Sequence, residues 1–320
     1  MSAPLNFLVF APRFDETSGG AIALHRLCDL LRQSGERAYL WPMGRPSPLR
    51  WRGLSFTARS AYYKGLALKN GAFHRHPGFD TPVADSSLLE HGVAIYPETV
   101  DGDPLGTGRC VRWLLHEPGF HTGRVNYSSK DLLFYFQDEF AMSELARSYN
   151  PIARLQTLWV RDDIYHDDGA EERHGDCYMV RKGQVHHPSH SPSALCLDGM
   201  SPARIAWEFQ TRRRFYSYDP YTMYSAYAAA CGCDSIIVPP PGMTRDQWYA
   251  DDAKRQGVAF GEEDLPRARA TRAGALAFMK AEEKAAQASV ARFATYCHDH
   301  YIGSFGGAAS PRSAITPRLS

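Results

Sequence analysis

The chain has 320 residues, of which 44% are hydrophobic and 22% charged, the proportions of a globular protein with material for two modest cores. Lys and Arg number 36 against 35 Asp and Glu, a formal net charge of +1, so there is no global basic field to hold a polyanion and no nucleic-acid partner is expected. The seven cysteines are odd in number and irregularly spaced, which argues against a disulfide scaffold and fits a reducing cytoplasm. The N-terminus lacks a positive leader region, and no run of about 18 apolar residues occurs, so neither a signal peptide nor a membrane span is expected.

In chain order, residues 5–10 (LNFLVF) predict a first strand. Ser18-Gly19-Gly20 makes a turn into a helix at 21–31, stopped by Gly35, and 38–41 (AYLW) predicts a second strand. Strand, glycine-rich turn, helix, strand is the pattern of a βαβ unit. Residues 42–82 are irregular and rich in Arg, Gly and Pro. Short apolar runs at 92–96, 110–115, 132–136 and 153–158 predict further parallel strands. A second alternation begins near 165. It has a strand at 176–180 and a helix at 201–211, with Ser201 as cap and Pro202 at its first position. A strand at 214–218, a helix at 222–231 and a strand at 234–238 follow, the last stopped by three prolines. Residues 267–301 predict a long helix. The Gly-, Ser-, Pro- and Arg-rich end at 303–320 predicts a disordered tail.

Two segments have the form of ligand-binding turns. Gly19 and Gly20 lie between a first strand and a first helix. There a backbone can approach a ligand and a helix N-terminus favours phosphate, although a bare βα turn has the same form and the GxGxxG spacing is absent. In the second half, Tyr218, Asp219 and Thr222 lie where a strand ends and an Ala-rich helix begins, the edge at which open α/β sheets bind ligands. Helix capping by Thr222 and turn chemistry at Asp219-Pro220 are the plain alternatives.

The segment YSYDPYTMYSAYAAACGCDSIIVPPPG resembles the donor-binding region of GT-B glycosyltransferases, most closely bacterial enzymes of lipopolysaccharide, O-antigen or capsule synthesis. Tyr96-Pro97-Glu98, Gly102-x-Pro104-Leu105, the stretch 111–119 (VRWLLHEPG) and the SGG turn resemble their N-terminal domain. The resemblance implies an α/β protein of two Rossmann-like domains with parallel sheets facing across a cleft. Residues 1–164 would bind the acceptor and 165–266 the donor. A helical segment at 267–302 would pack back on the first domain, ahead of the tail at 303–320. It implies transfer of a sugar from a UDP- or GDP-sugar to a hydroxyl of a glycan or glycolipid, without metal or other cofactor, by a cytoplasmic protein that can associate with the inner face of the membrane.

Under that resemblance Arg181 and Lys182 neutralise the diphosphate, against the plain alternative of an exposed basic turn. Many relatives carry an E-x7-E pattern in the donor helix. Here that helix has no carboxylate, so the role would fall to Tyr224, Ser225 or Asp219, and the stereochemical outcome stays open. An inverting reaction needs a base. His116 ranks first because an imidazole titrates in the right range, followed by Glu98 and Asp15. Asp101-Gly102-Asp103 could instead serve a metal-dependent, GT-A-like transferase, but it reads as turn chemistry. His74 with His76, and His186, His187 and His190, lack the cysteine spacing of a zinc site. A non-catalytic binding protein of the same fold is the remaining alternative.

Overall fold

The computed structural model describes residues 4–45, 73–186 and 188–303. Most of the irregular stretch expected at 42–82, the histidine at 187 and the tail beyond 303 lie outside the described residues. The chain divides into two compact units, one formed by residues 1–157 and 286–320, the other by 158–285.

The first unit is built on a six-stranded sheet. Its strands are β1 (Asn6–Ala11), β2 (Ala38–Pro42), β3 (Gly92–Pro97), β4 (Cys110–Leu114), β5 (Leu132–Tyr135) and β6 (Ala153–Arg154). They lie in the order β2-β1-β3-β4-β5-β6, and every pairing is parallel. β1, β3 and β4 are buried along their whole length. That is why these runs are mostly apolar rather than alternating, Asn6 and Arg112 excepted: a parallel sheet is covered on both faces. Helix α1 (Gly19–Gln33) covers one face with Leu24, Leu27, Cys28 and Leu31. Ser18 caps it by accepting the Ala21 N–H. Val290, Phe293, Ala294 and Cys297 of the C-terminal helix complete the same core, where Phe293 meets Phe134 edge-on. Two short helices, α2 (Asp138–Ala141) and α3 (Glu144–Ser148), follow β5.

The second unit has five parallel strands, β7 (Asp176–Met179), β8 (Leu195–Cys196), β9 (Arg214–Ser217), β10 (Asp234–Ile237) and β11 (Val258–Phe260), in the order β11-β10-β9-β7-β8. Helix α4 (Pro202–Thr211) is capped by Ser201 and starts on Pro202. Helix α5 (Met223–Ala230) lays Tyr227 and Ala228 into the core beside Phe209 and Phe215. The short helix α6 (Arg245–Trp248) buries Trp248. The expected single helix at 267–301 is broken. α7 (Leu265–Thr271) passes through one 3-10 turn at Arg272–Gly274 into α8 (Ala275–Tyr301). Gly274 sits against the Gln256 side chain, where any Cβ would collide with it.

Both sheets therefore run, within their own unit, from a first strand to a neighbour on one side and then back past it to the other. The strand order reverses between β1 and β3 in the first unit and between β7 and β9 in the second. At such a reversal the connections diverge to opposite faces and leave a crevice at the carboxyl ends of the strands. All seven cysteines are free. Cys196 is half-buried and the other six are buried. Burial pushes the thiols of Cys110 and Cys231 up to about 12 and those of Cys28 and Cys297 higher still.

Candidate functional site

In the second unit the reversal point holds a cavity of about 280 Å³. Lys182, Gly183, Gln184 and His186, after β7, form one side. Tyr218, Pro220 and Val238–Pro240, after β9 and β10, form the other. Gly183 fixes the approach of the two sides. A Cβ there would overlap the Tyr218 carbonyl and come within 2.8 Å of the Asp219 nitrogen, so only glycine lets the β7 loop close on the β9 end. Arg181 turns the chain with φ +47, a left-handed conformation uncommon for a residue with a side chain. The Asp198 carboxylate holds this turn, accepting the N–H of Val180 at 2.7 Å and of Arg181 at 3.3 Å.

The Arg181 guanidinium lies 5.0 Å from the centre of the Tyr224 ring, in the first turn of α5. Thr222 caps that helix, its hydroxyl accepting the Tyr224 N–H at 3.4 Å. Ser225, in the same first turn, is buried, and its Oγ has no hydrogen-bond partner among the described residues. Asp219 is buried and accepts the Tyr221 N–H at 3.1 Å, which shapes the turn into α5. Tyr218 is buried as well. Its hydroxyl accepts the Ser189 N–H at 3.0 Å and stands 2.7 Å from His190 Nδ1. His190 stacks on Tyr178 at 3.9 Å, and burial lowers its pKa from the ordinary histidine value. Arg181, Tyr224, Thr222 and Ser225 are thus brought to one strand–helix junction. Lys182 and Tyr218 line the adjoining cavity. The order of residues points to both groups. From residue order His186 reads only as part of a histidine group without zinc spacing and the prolines only as a strand stop, while nothing there singles out Gln184 for this cavity.

In the first unit, Glu98 follows β3 and His116 follows β4. Glu98 is buried. Its Oε2 accepts the Leu115 N–H at 3.1 Å, and its backbone carbonyl accepts the Tyr127 hydroxyl at 2.5 Å. The loop after it is held by Arg112, which is almost wholly buried, pairs with Asp131 at 2.8 Å and donates to the carbonyls of Val100 and Gly102. His116 stacks on Phe140 at 5.2 Å and meets Phe120 at a tilt at 4.3 Å, and its Nδ1 accepts the N–H of Glu117 at 2.8 Å. Gly20 faces Leu115, 3.9 Å from where a Cβ would stand, while Gly19 opens onto free space. Asp15 is exposed in the loop after β1. Its carboxylate is held by the Thr17 hydroxyl and N–H, which lower its pKa from the usual carboxylate value.

Asp101 and Asp103 are engaged in turns. Asp101 accepts the Asn126 N–H at 2.9 Å and pairs with Arg124 at 3.2 Å. Asp103 accepts the Tyr96 hydroxyl at 2.6 Å and the N–H groups of Gly106 and Gly108. Among the described residues no group of three or more His, Cys, Asp or Glu side chains is arranged to hold a metal ion. Among them, too, no helix is long and apolar enough to cross a membrane.

No protein-family model matches the chain, and no curated protein sequence matches it. Among solved structures it is similar to an α-glucosyltransferase in complex with UDP and a 13-mer DNA containing a HMU base. The TM-score is 0.43 and the identity 12%, over 94% of this chain and 99% of that one. That structure corrects one expectation. Nucleic acid was excluded because the charge sums to +1, yet the transferase was solved with DNA bound. The physical reason is that phosphate binding depends on where cations are aligned, not on their sum over the chain.

Proposed function

We propose that the protein is a glycosyltransferase of the GT-B kind, whose second unit binds a nucleotide sugar at the β7/β9 reversal. The observation that carries this reading is the junction after β7 and β9. There a strained arginine, a capped helix N-terminus and a buried hydroxyl without a partner meet beside a cavity. Arg181 supplies charge-assisted hydrogen bonds to the diphosphate, and the N-terminus of α5 directs its partial positive charge to the same place. Lys182 adds a second cation from the cavity wall. Tyr224 holds Arg181 by its ring face. Tyr218 and Asp219 shape the turn that carries these groups.

The reaction is displacement at the anomeric carbon. An acceptor hydroxyl oxygen forms the new bond, the bond to the diphosphate oxygen breaks, and the nucleoside diphosphate leaves with the electron pair. The first unit takes the acceptor side, with Gly19 and Gly20 leaving backbone room at the start of α1. The hydroxyl proton passes to a base drawn from Glu98, His116 and Asp15. The leaving charge is met by side-chain cations and a helix end, and no metal takes part. A glycan or glycolipid hydroxyl is the acceptor of first choice, and nucleic acid belongs among those to be tried.

The test is calorimetric binding of UDP and GDP to the folded protein, its Arg181→Ala variant and its Thr222→Val variant. Loss of a hydrogen bond to a charged group is expected to cost about 1.5–3 kcal/mol. Unchanged affinity in both variants would remove the donor site from this junction. Transfer is expected to survive EDTA. Activity lost on chelation and restored by manganese or magnesium would favour the metal-dependent alternative through Asp101 and Asp103.

A further inference from the structure

The two sides of the cavity differ in the hydrogen bonds they can make. Pro239 and Pro240 have no N–H to offer. The Val238 N–H is already given to the Ser217 carbonyl at 2.8 Å. The backbone of Val238–Pro240, which lines the cavity, therefore has carbonyl oxygens but no free N–H to offer a ligand. The Pro240 carbonyl accepts one bond, from Met243 at 3.1 Å, while those of Val238 and Pro239 accept none from any described residue. The facing side supplies the donors that this wall lacks, although Gln184 and a neutral His186 can accept as well. Lys182, Gln184 and His186 bring an ammonium, an amide and an imidazole, all able to donate.

A ligand that satisfies both sides turns acceptor oxygens toward 182–186 and N–H groups toward 238–240. In a nucleotide the first are phosphate and sugar oxygens, and the second come from the base. Guanine carries two neighbouring donors, its N1–H and its 2-amino group. Uracil carries one N–H flanked by two carbonyls, and those carbonyls would be turned toward other carbonyls with no donor between them. On the reading that this cavity takes the nucleoside part of a nucleotide sugar, we infer that Val238–Pro240 is the base-selecting wall and that the donor is a GDP-sugar rather than a UDP-sugar.

The experiment is calorimetric titration of the full chain with GDP, UDP and inosine diphosphate, which lacks the 2-amino group. GDP is expected to bind about 5- to 150-fold more tightly than either, the range for a good two-point base contact. Pro239→Ala, which returns an N–H to the wall, is expected to narrow the GDP-to-UDP ratio. UDP binding as tightly as GDP overturns the inference and leaves the transferase reading standing. Equal binding of GDP and inosine diphosphate overturns it too, and needs no variant to fold. A ratio untouched in a folded Pro239→Ala protein removes the wall from base selection. Binding of none of the three overturns both readings.

Discussion

At His116 the hydrogen bond from its neighbour decides what the ring can do. Nδ1 accepts the Glu117 N–H, so the neutral ring carries its proton on Nε2 and both nitrogens are committed. In that state the imidazole donates and has no lone pair for an acceptor's proton. Glu98 differs: its carboxylate accepts the Leu115 N–H, and an ionised carboxylate is an acceptor by nature, able to take up a proton. Glu98→Gln is therefore expected to lower turnover by about 10²–10⁴-fold, the usual worth of a general base, with nucleotide binding retained. His116→Ala is expected to cost less. Release of nucleoside diphosphate in the presence of acceptor measures both. A Glu98→Gln enzyme with normal turnover, beside a disabled His116→Ala enzyme, would return the role to the imidazole. The order of residues ranks His116 first on its ordinary titration range. A backbone N–H seated on Nδ1 is a fact of local geometry, which residue order does not carry.

Elements were legible where burial leaves a pattern. β1 and β3 are almost wholly apolar because both of their faces are covered, while β4 and β10 are equally buried but carry Arg112, Asp234 and Ser235 among their apolar residues. Serine and proline marked the start of α4 for the same reason that they stabilise it. β8 and β11 have only two and three residues, too few for a period to show, and they exist because a neighbouring strand pairs with them. The break between α7 and α8 was hidden because a single Gly274 in an Ala-rich stretch gives no sign that the chain passes through a 3-10 turn there. Arg112 was the largest omission. A charge inside a strand reads as an exposed position, yet here it is buried with Asp131 and ties down the loop that follows β3. Breaking a buried pair of this kind from one side costs about 3–5 kcal/mol. Arg112→Ala should lose stability on that scale in denaturant titration, and Asp131→Ala should lose a similar amount. A loss near zero would show that the pair is dispensable to the loop.

Over the whole molecule, acid should act in two separate windows. His25 is fully buried with its Nε2 on the Pro12 carbonyl, and burial lowers its pKa below the ordinary 6.5. As pH falls through 6.5 the unfolded chain takes a proton that the native state refuses, so stability declines from there until the native ring titrates. Asp234 behaves differently. Burial alone would raise its pKa, but the guanidiniums of Arg269 and Arg272 outweigh that and hold it below 3.8. Its contribution is complete above 3.8 and is lost as pH falls through the native value. Unfolding free energy measured from pH 8 to pH 5 should fall toward the acid end, and His25→Gln should flatten that slope. An unchanged slope would remove His25 as its source. The seclusion of the cysteines has a practical corollary. With six thiols buried, a mild disulfide reagent should modify the native protein once and quickly, at Cys196, and all seven positions only after unfolding. The fold thus carries its own single attachment point for a fluorophore, at the end of a strand that pairs with β7. A dye placed there could follow ligand uptake in the wild-type chain without removal of any other cysteine.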